Sequence, residues 1–161
     1  MAYSRWVVNA SPLILLGKIG QIGLLSALAG RIAVPQAVAE EVGAGNDGRT
    51  TLQAIANDSV FILVENEAPN PEIISWDLGA GETQVIVNAR IYGADRVVIE
   101  DLEARRCAQA MGLKTIGYLG FGRPCQGAGL DRPRWAHCQA TARDRSLCLR
   151  RFDSASFARS R

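Results

Sequence analysis

Short runs of β-branched and other apolar residues alternate along this chain with stretches whose apolar residues recur at helical spacing. Trp6-Val7-Val8 is the first run, and Asn9 ends it. Ser11-Pro12 reads as an N-cap followed by a proline at the first helical position. Leu13, Leu16 and Ile19 continue at helical spacing, and Leu24, Leu25 and Leu28 follow in a second helix after a break at Gly20. Arg31-Ile32-Ala33-Val34 is a second strand. Pro35 opens a helix through Val42, residues 43–48 form a loop, residues 50–57 are helical, and Val60–Val64 is a strand. A turn at Pro69–Pro71 leads to a helix over Gly81–Tyr92. A strand at Arg96–Ile99, a helix over Asp101–Met111 and a last strand at Lys114–Ile116 follow. Strands alternating with helices predict an α/β fold whose parallel sheet is covered on both faces.

The pattern stops at about Gly120. Residues 121–161 hold nine Arg and no Lys against three acids (Asp131, Asp144, Asp153), a net +6. Residues 1–120 hold 9 basic and 13 acidic groups, a net −4. The tail has no Val, Ile or Glu, and so has little with which to build strands. The expected organisation is a domain over 1–120 and an irregular, poorly ordered Arg-rich tail over 121–161. Three readings of the tail compete. It could be a basic arm for nucleic acid. It could be a zinc site from Cys125, His137, Cys138 and Cys148, but no C-x₂₋₄-C pair is present. The reading we favour is a shifted frame. Read one base forward with suitable codons, the segment Cys125–Trp135 becomes Ala-Lys-Ala-Arg-Gly-Leu-Ile-Ala-Arg-Val-Gly, which has the apolar spacing that the printed tail lacks.

Several function classes fall away. The apolar stretch Ser11–Gly30 is interrupted by Lys18, Gly20 and Gln21, against a membrane span or a signal peptide. Gly43–Thr50 imitates a phosphate-binding loop but carries Arg49 where the Lys belongs and follows a helix. Gly79-x-Gly81 lacks the third glycine of a dinucleotide fingerprint. The sole His lies in the tail, so no Ser/His/Asp triad is available. Cys107 shares a stripe with Ala104, Ala108 and Met111 and reads as core. One Cys in residues 1–120 suits a reducing, cytoplasmic setting.

The carboxylates stand out. Glu41 follows Val38 and Ala37 at i+3 and i+4, and so shares their inward stripe. Glu82 precedes Val85, Ile86 and Ala89 on another. Burying a lone carboxylate is costly unless something pairs it. Asn9 ends the first strand, and Glu100 and Asp101 follow Val97-Val98-Ile99. Ligands of open parallel sheets bind beyond the carboxyl ends of strands. Asn9, Glu41, Glu82 and Asp101 gathered there would form an oxygen-rich site for Mg²⁺ or Mn²⁺. Each also has a plainer use. Asp101 could cap a helix, Glu82 could favour a helix dipole, Glu41 could pair with an Arg, and Asn9 could make an Asx-turn. Arg105 and Arg106 could touch phosphate or simply be surface.

Val7-Val8-Asn9-Ala10-Ser11-Pro12-Leu13-Ile14 resembles the opening strand and turn of PIN domains. The segments Val34–Val42, Leu78–Ile86, Val97–Ala108 and Gly112–Gly120 resemble, in order, the remaining motifs of a VapC-like prokaryotic branch. The resemblance covers residues 5–120. It implies a three-layer α/β/α fold and a Mg²⁺- or Mn²⁺-dependent endoribonuclease acting as the toxin of a toxin–antitoxin pair. It also implies an antitoxin partner, and many relatives dimerise. Carried over by position, Asn9, Glu41, Glu82 and Asp101 would hold the ion, with Glu100 as the rival for the last place. Glu41, Glu82 and Asp101 would be catalytic. Two departures matter. Asn9 stands where the family pattern usually has Asp, so an amide replaces a charge. The tail lacks the family's closing Leu/Val-rich helix. Alternative readings are a catalytically impaired PIN-like interaction module, the product of a frame-shifted gene, and a basic-tailed nucleic-acid-binding protein.

Overall fold

Val7 and Val8 in β1 (Arg5–Val8), Ile32 and Val34 in β2 (Arg31–Pro35), and Val97 and Val98 in β4 (Arg96–Val98) are each 1% exposed or less. Successive strand residues point to opposite faces, so a sheet that hides neighbours along a strand is covered on both sides. The computed structural model describes residues 4–117. Its five strands are all parallel and run in the order β3-β2-β1-β4-β5, with β3 at Phe61–Val64 and β5 at Thr115–Ile116. Leu63 is exposed, as the edge position of β3 permits.

Helices flank this sheet, as the alternating pattern predicts. They are α1 (Ala10–Lys18), α2 (Gly23–Leu28), α3 (Gln36–Ala44), α4 (Gly48–Ala56), α5 (Pro71–Ile74), α6 (Ala80–Ile91) and α7 (Leu102–Ala110). The main core joins the strands to Leu13, Leu25, Val38, Val42 and Val85. A second core gathers Ile73, Ile86, Val87, Cys107 and Ala108 between α5, α6 and α7. Cys107 is therefore a core residue, and α6 feeds both cores, which fixes its first turn firmly beside the ends of β1 and β2.

Local differences from the sequence reading have physical reasons. Helix α1 starts at Ala10, so Asn9 rather than Ser11 is its N-cap, and Pro12 lies inside the first turn. Proline is tolerated there because the first N–H groups of a helix have no intrahelical acceptor. The turn at Pro69–Pro71 runs into α5, where Asn70 Oδ1 accepts from the Ile73 N–H at 3.0 Å and Pro71 takes the first position. Glu41 is exposed, whereas Val38, Ala39 and Val42 are buried. At about 100° per residue it falls on the margin of the apolar stripe. The readings of residues 121–161 lie outside the described residues.

Candidate metal centre

The chain order reverses between β1 and β4: the strands go outward through β2 and β3, then return to the other side of β1. A crevice opens beyond the carboxyl ends at such a switch point. Asn9 sits there. Its backbone N–H donates to the Val98 carbonyl at 2.9 Å, tying the end of β1 to the end of β4. Its side chain is 3% exposed and makes no capping bond, and Oδ1 has no hydrogen-bond partner among the described residues. The Asx-turn use is thus not taken up. A buried acceptor left without a partner costs about 1–3 kcal/mol, so this oxygen is aimed at something else.

Gly81, in the first turn of α6, locates its neighbours. A Cβ there would lie 2.8 Å from Glu41 Oε2 and 3.4 Å from Asn9 Oδ1. The two oxygens therefore converge over a spot that only glycine leaves open. Glu82 follows, and its Oε2 accepts from the Gly79 N–H at 3.0 Å, anchoring the carboxylate to the start of α6. The Glu41 carboxyl is held above the usual carboxylate range, first by desolvation and second by the charge of Glu82. Glu41 is exposed as a whole, yet its Oε2 is turned in over Gly81. No ion pair to Glu41 forms among the described residues.

The β4 side is different. Asp101 Oδ1 accepts from the Ala104 N–H at 2.8 Å and so caps α7. Glu100 is half-buried, with carboxylate oxygens 2.8 and 3.2 Å from the Cβ position of Gly117. Asn9, Glu41 and Glu82 thus gather around the start of α6, while Glu100 and Asp101 follow the end of β4 with contacts of their own. Among the described residues, no group of three or more His, Cys, Asp or Glu side chains is placed to hold a metal ion.

The family DUF3368, PIN domain, matches residues 5–121. The chain belongs to this PIN-domain family. PIN domains are typically nucleases that bind a divalent metal. No curated protein matches this PIN domain. Among solved structures it is similar to PAE2754 from Pyrobaculum aerophilum, with 15% identity and a TM-score of 0.49, over 70% of this chain and 83% of that one. It is also similar to a domain of a functionally unknown protein from Methanocaldococcus jannaschii, with 13% identity and a TM-score of 0.48, over 80% of this chain and 99% of that one. No helix among the described residues is long and apolar enough to cross a membrane.

The residues of this PIN domain fit a hard cation. An orphaned buried amide oxygen, a carboxylate turned toward it and a second carboxylate that repels the first are oxygen donors of the kind Mg²⁺ and Mn²⁺ take. Sequence reasoning missed Gly81 as part of the site. Its signal was a glycine in a helical turn, where alanine would be more stable. It also missed Gln84 and Asn66. Gln84 exchanges two hydrogen bonds with the Glu67 backbone at 2.8 Å, and Asn66 Oδ1 accepts from the Ala37 N–H at 3.0 Å. Together they pin the segment after β3 to the first turn of α3 and the second turn of α6.

Proposed function

We propose that this PIN domain is a divalent-metal-dependent endoribonuclease of the toxin type, hydrolysing RNA phosphodiester bonds. The observation that carries the reading is the convergence of Asn9 Oδ1 and Glu41 Oε2 over Gly81. Asn9, Glu41 and Glu82 would hold Mg²⁺ or Mn²⁺, with Asp101, or Glu100 in its place, reaching in from the β4 side. The ion, when bound, supplies an activated water and neutralises charge building on the phosphate. Glu82, anchored through Oε2, keeps its other oxygen directed by a fixed backbone. Asn9 orients the pocket without adding charge, so affinity for the ion is lower than with an aspartate there. Control by an antitoxin and association as a homodimer belong to the same proposal, on the family likeness.

Asn9 also favours a second reading, a PIN-like interaction module with impaired catalysis. RNA cleavage with Mg²⁺ or Mn²⁺ separates the two, comparing the protein with Glu82→Ala and Asn9→Asp. Cleavage that Glu82→Ala and a chelator abolish supports the nuclease. An inert protein that Asn9→Asp awakens supports the impaired module. Cleavage indifferent to both Glu82→Ala and chelator removes the metal-dependent reading.

A further inference from the structure

The opposite end of the sheet carries a pattern that the nuclease reading leaves unused. Arg31, Arg5 and Arg96 are the first residues of β2, β1 and β4, and Lys114 directly precedes β5. Four adjacent strands thus each begin with a cation. The pairing sets Arg5 level with Arg31, and it sets Arg96 level with Trp6 and, because Thr115 is opposite Val97, with Lys114. Successive residues alternate in face, so Arg5 and Arg31 start on one face of the sheet and Arg96 and Lys114 on the other, and the four straddle its end. Neighbouring strands are about 4.8 Å apart, so the four strand starts span roughly 14 Å. All four are exposed, and none forms an ion pair among the described residues. Two acids lie near and offset part of the positive charge, with their carboxylates fixed by backbone. Asp95 Oδ2 accepts from the Arg5 N–H at 2.7 Å, and Asp58 Oδ1 accepts from the Val60 N–H at 3.0 Å. Like charges opposite one another on neighbouring strands repel. The negative ends of α2, α6 and α7 offset some of this repulsion.

Tyr92 lies near Arg5. It caps the end of α6, is 41% exposed, and is the exposed aromatic ring among the described residues. The next residue, Gly93, has φ +57°, and its Cβ position lies 3.6 Å from Arg5 Nη2. The Arg5 guanidinium therefore reaches over the turn that presents Tyr92. A rim of cations along the end of the sheet, with an open aromatic ring near Arg5, suits a single strand of nucleic acid crossing that end, where cations follow phosphates and a ring stacks on a base.

We propose that Arg31, Arg5, Arg96, Lys114 and Tyr92 form a binding rim for single-stranded RNA, separate from the carboxylate site. The choice of RNA rests on the ribonuclease reading. β1 separates the rim from Asn9 by about 13 Å at ~3.3 Å per residue, so one strand folded over the domain can touch both ends.

The test is fluorescence anisotropy of a labelled single-stranded RNA oligonucleotide with the full chain in EDTA, over a salt series. Binding without metal needs no cleavage, so loss of the nuclease reading and loss of the rim are told apart. Removing one phosphate contact lowers the slope of log K against log salt by about 0.7. The combined change Arg5→Gln, Arg31→Gln, Arg96→Gln, Lys114→Gln is expected to lower it by nearly 3, and each single change by about 0.7. Replacing the three arginines by lysine keeps the slope. Tyr92→Ala weakens binding at least about fivefold with the slope unchanged. The single variants decide the matter if the combined one unfolds. An unchanged slope in folded variants, or capture of an acidic peptide in preference to RNA, overturns the proposal.

Discussion

Gly81→Ala tests the candidate centre with the smallest perturbation available. The added methyl would sit 2.8 Å from Glu41 Oε2, and contact becomes ordinary only from 3.4 Å. The Glu41 oxygen must therefore retreat by about 0.6 Å, which its exposed, flexible side chain can do at little cost. Asn9 Oδ1, already 3.4 Å away, and Val38 Cγ2, 3.7 Å away, can stay. Alanine in a helix is worth up to about 1 kcal/mol over glycine, less in the first turn. The apo protein is thus expected to gain between about 0 and 1 kcal/mol, a rise of a few degrees in Tm for a chain of this size. Metal–ligand distances hold to within about 0.2 Å, and the methyl occupies the spot over which the Glu41 and Asn9 oxygens converge, so it would keep the carboxylate from closing to that distance. Affinity for Mn²⁺, read by calorimetry or by the Mn²⁺-induced rise in Tm, is expected to fall at least tenfold, in the range seen when ligand positioning is disturbed. A variant more stable than its parent but deaf to metal would be hard to explain by misfolding. One that binds Mn²⁺ as tightly as its parent refutes the idea that Glu41 takes part.

Asn9→Asp places a carboxylate at a site 3% exposed and beside Glu41, so stability in chelator is expected to drop by a few kcal/mol and to recover with Mn²⁺; differential scanning fluorimetry with and without the ion reads both, and equal Tm in chelator contradicts the geometry. The raised pKa of Glu41 means that the native state keeps its proton to higher pH than the unfolded chain. In chelator its contribution to stability therefore declines as pH rises from the ordinary glutamate value through the raised one, and urea titrations should find that decline flattened by Glu41→Gln. Burial pushes the Cys107 thiol up and shields it, so alkylation followed by peptide mass spectrometry should label Cys107 only as fast as the domain opens. The coding DNA beyond Gly120 is expected to carry, one base forward, the codons for a Leu/Val-rich helix; their absence removes the frame-shift reading.

The sheet was readable because its central strands are buried on both faces and so appear as uninterrupted apolar runs, Trp6–Val8 and Val97–Ile99 among them. The short α5 was harder. Asn70-Pro71 is as good a turn signal as a helix start, and only the Asn70 bond to Ile73 decides between them. Glu41 shows the limit of periodicity: a residue at the margin of a stripe can be solvent-exposed and still turn one oxygen inward. That turn depends on the missing side chain at Gly81, some forty positions away, which no local pattern registers. Asn9 was legible as a strand end facing a crevice, but α1 starts two residues earlier than Ser11-Pro12 suggests, and the N-cap role of Asn9 with its unused side-chain oxygen has no signal in the local pattern. Asp101 had two credible uses in the sequence, and the structure has it capping α7.

The two carboxylates beside Gly81 differ in freedom. Glu82 is moored by the Gly79 amide, whereas Glu41 has no such mooring among the described residues. An arriving ion would find one stationary wall and one swinging arm. Nearly all the entropy lost on capture would then fall on a single side chain, up to about 1.5–2 kcal/mol for a glutamate. The slack in that arm, more than the size of a preformed hole, would set which ions the pocket accepts.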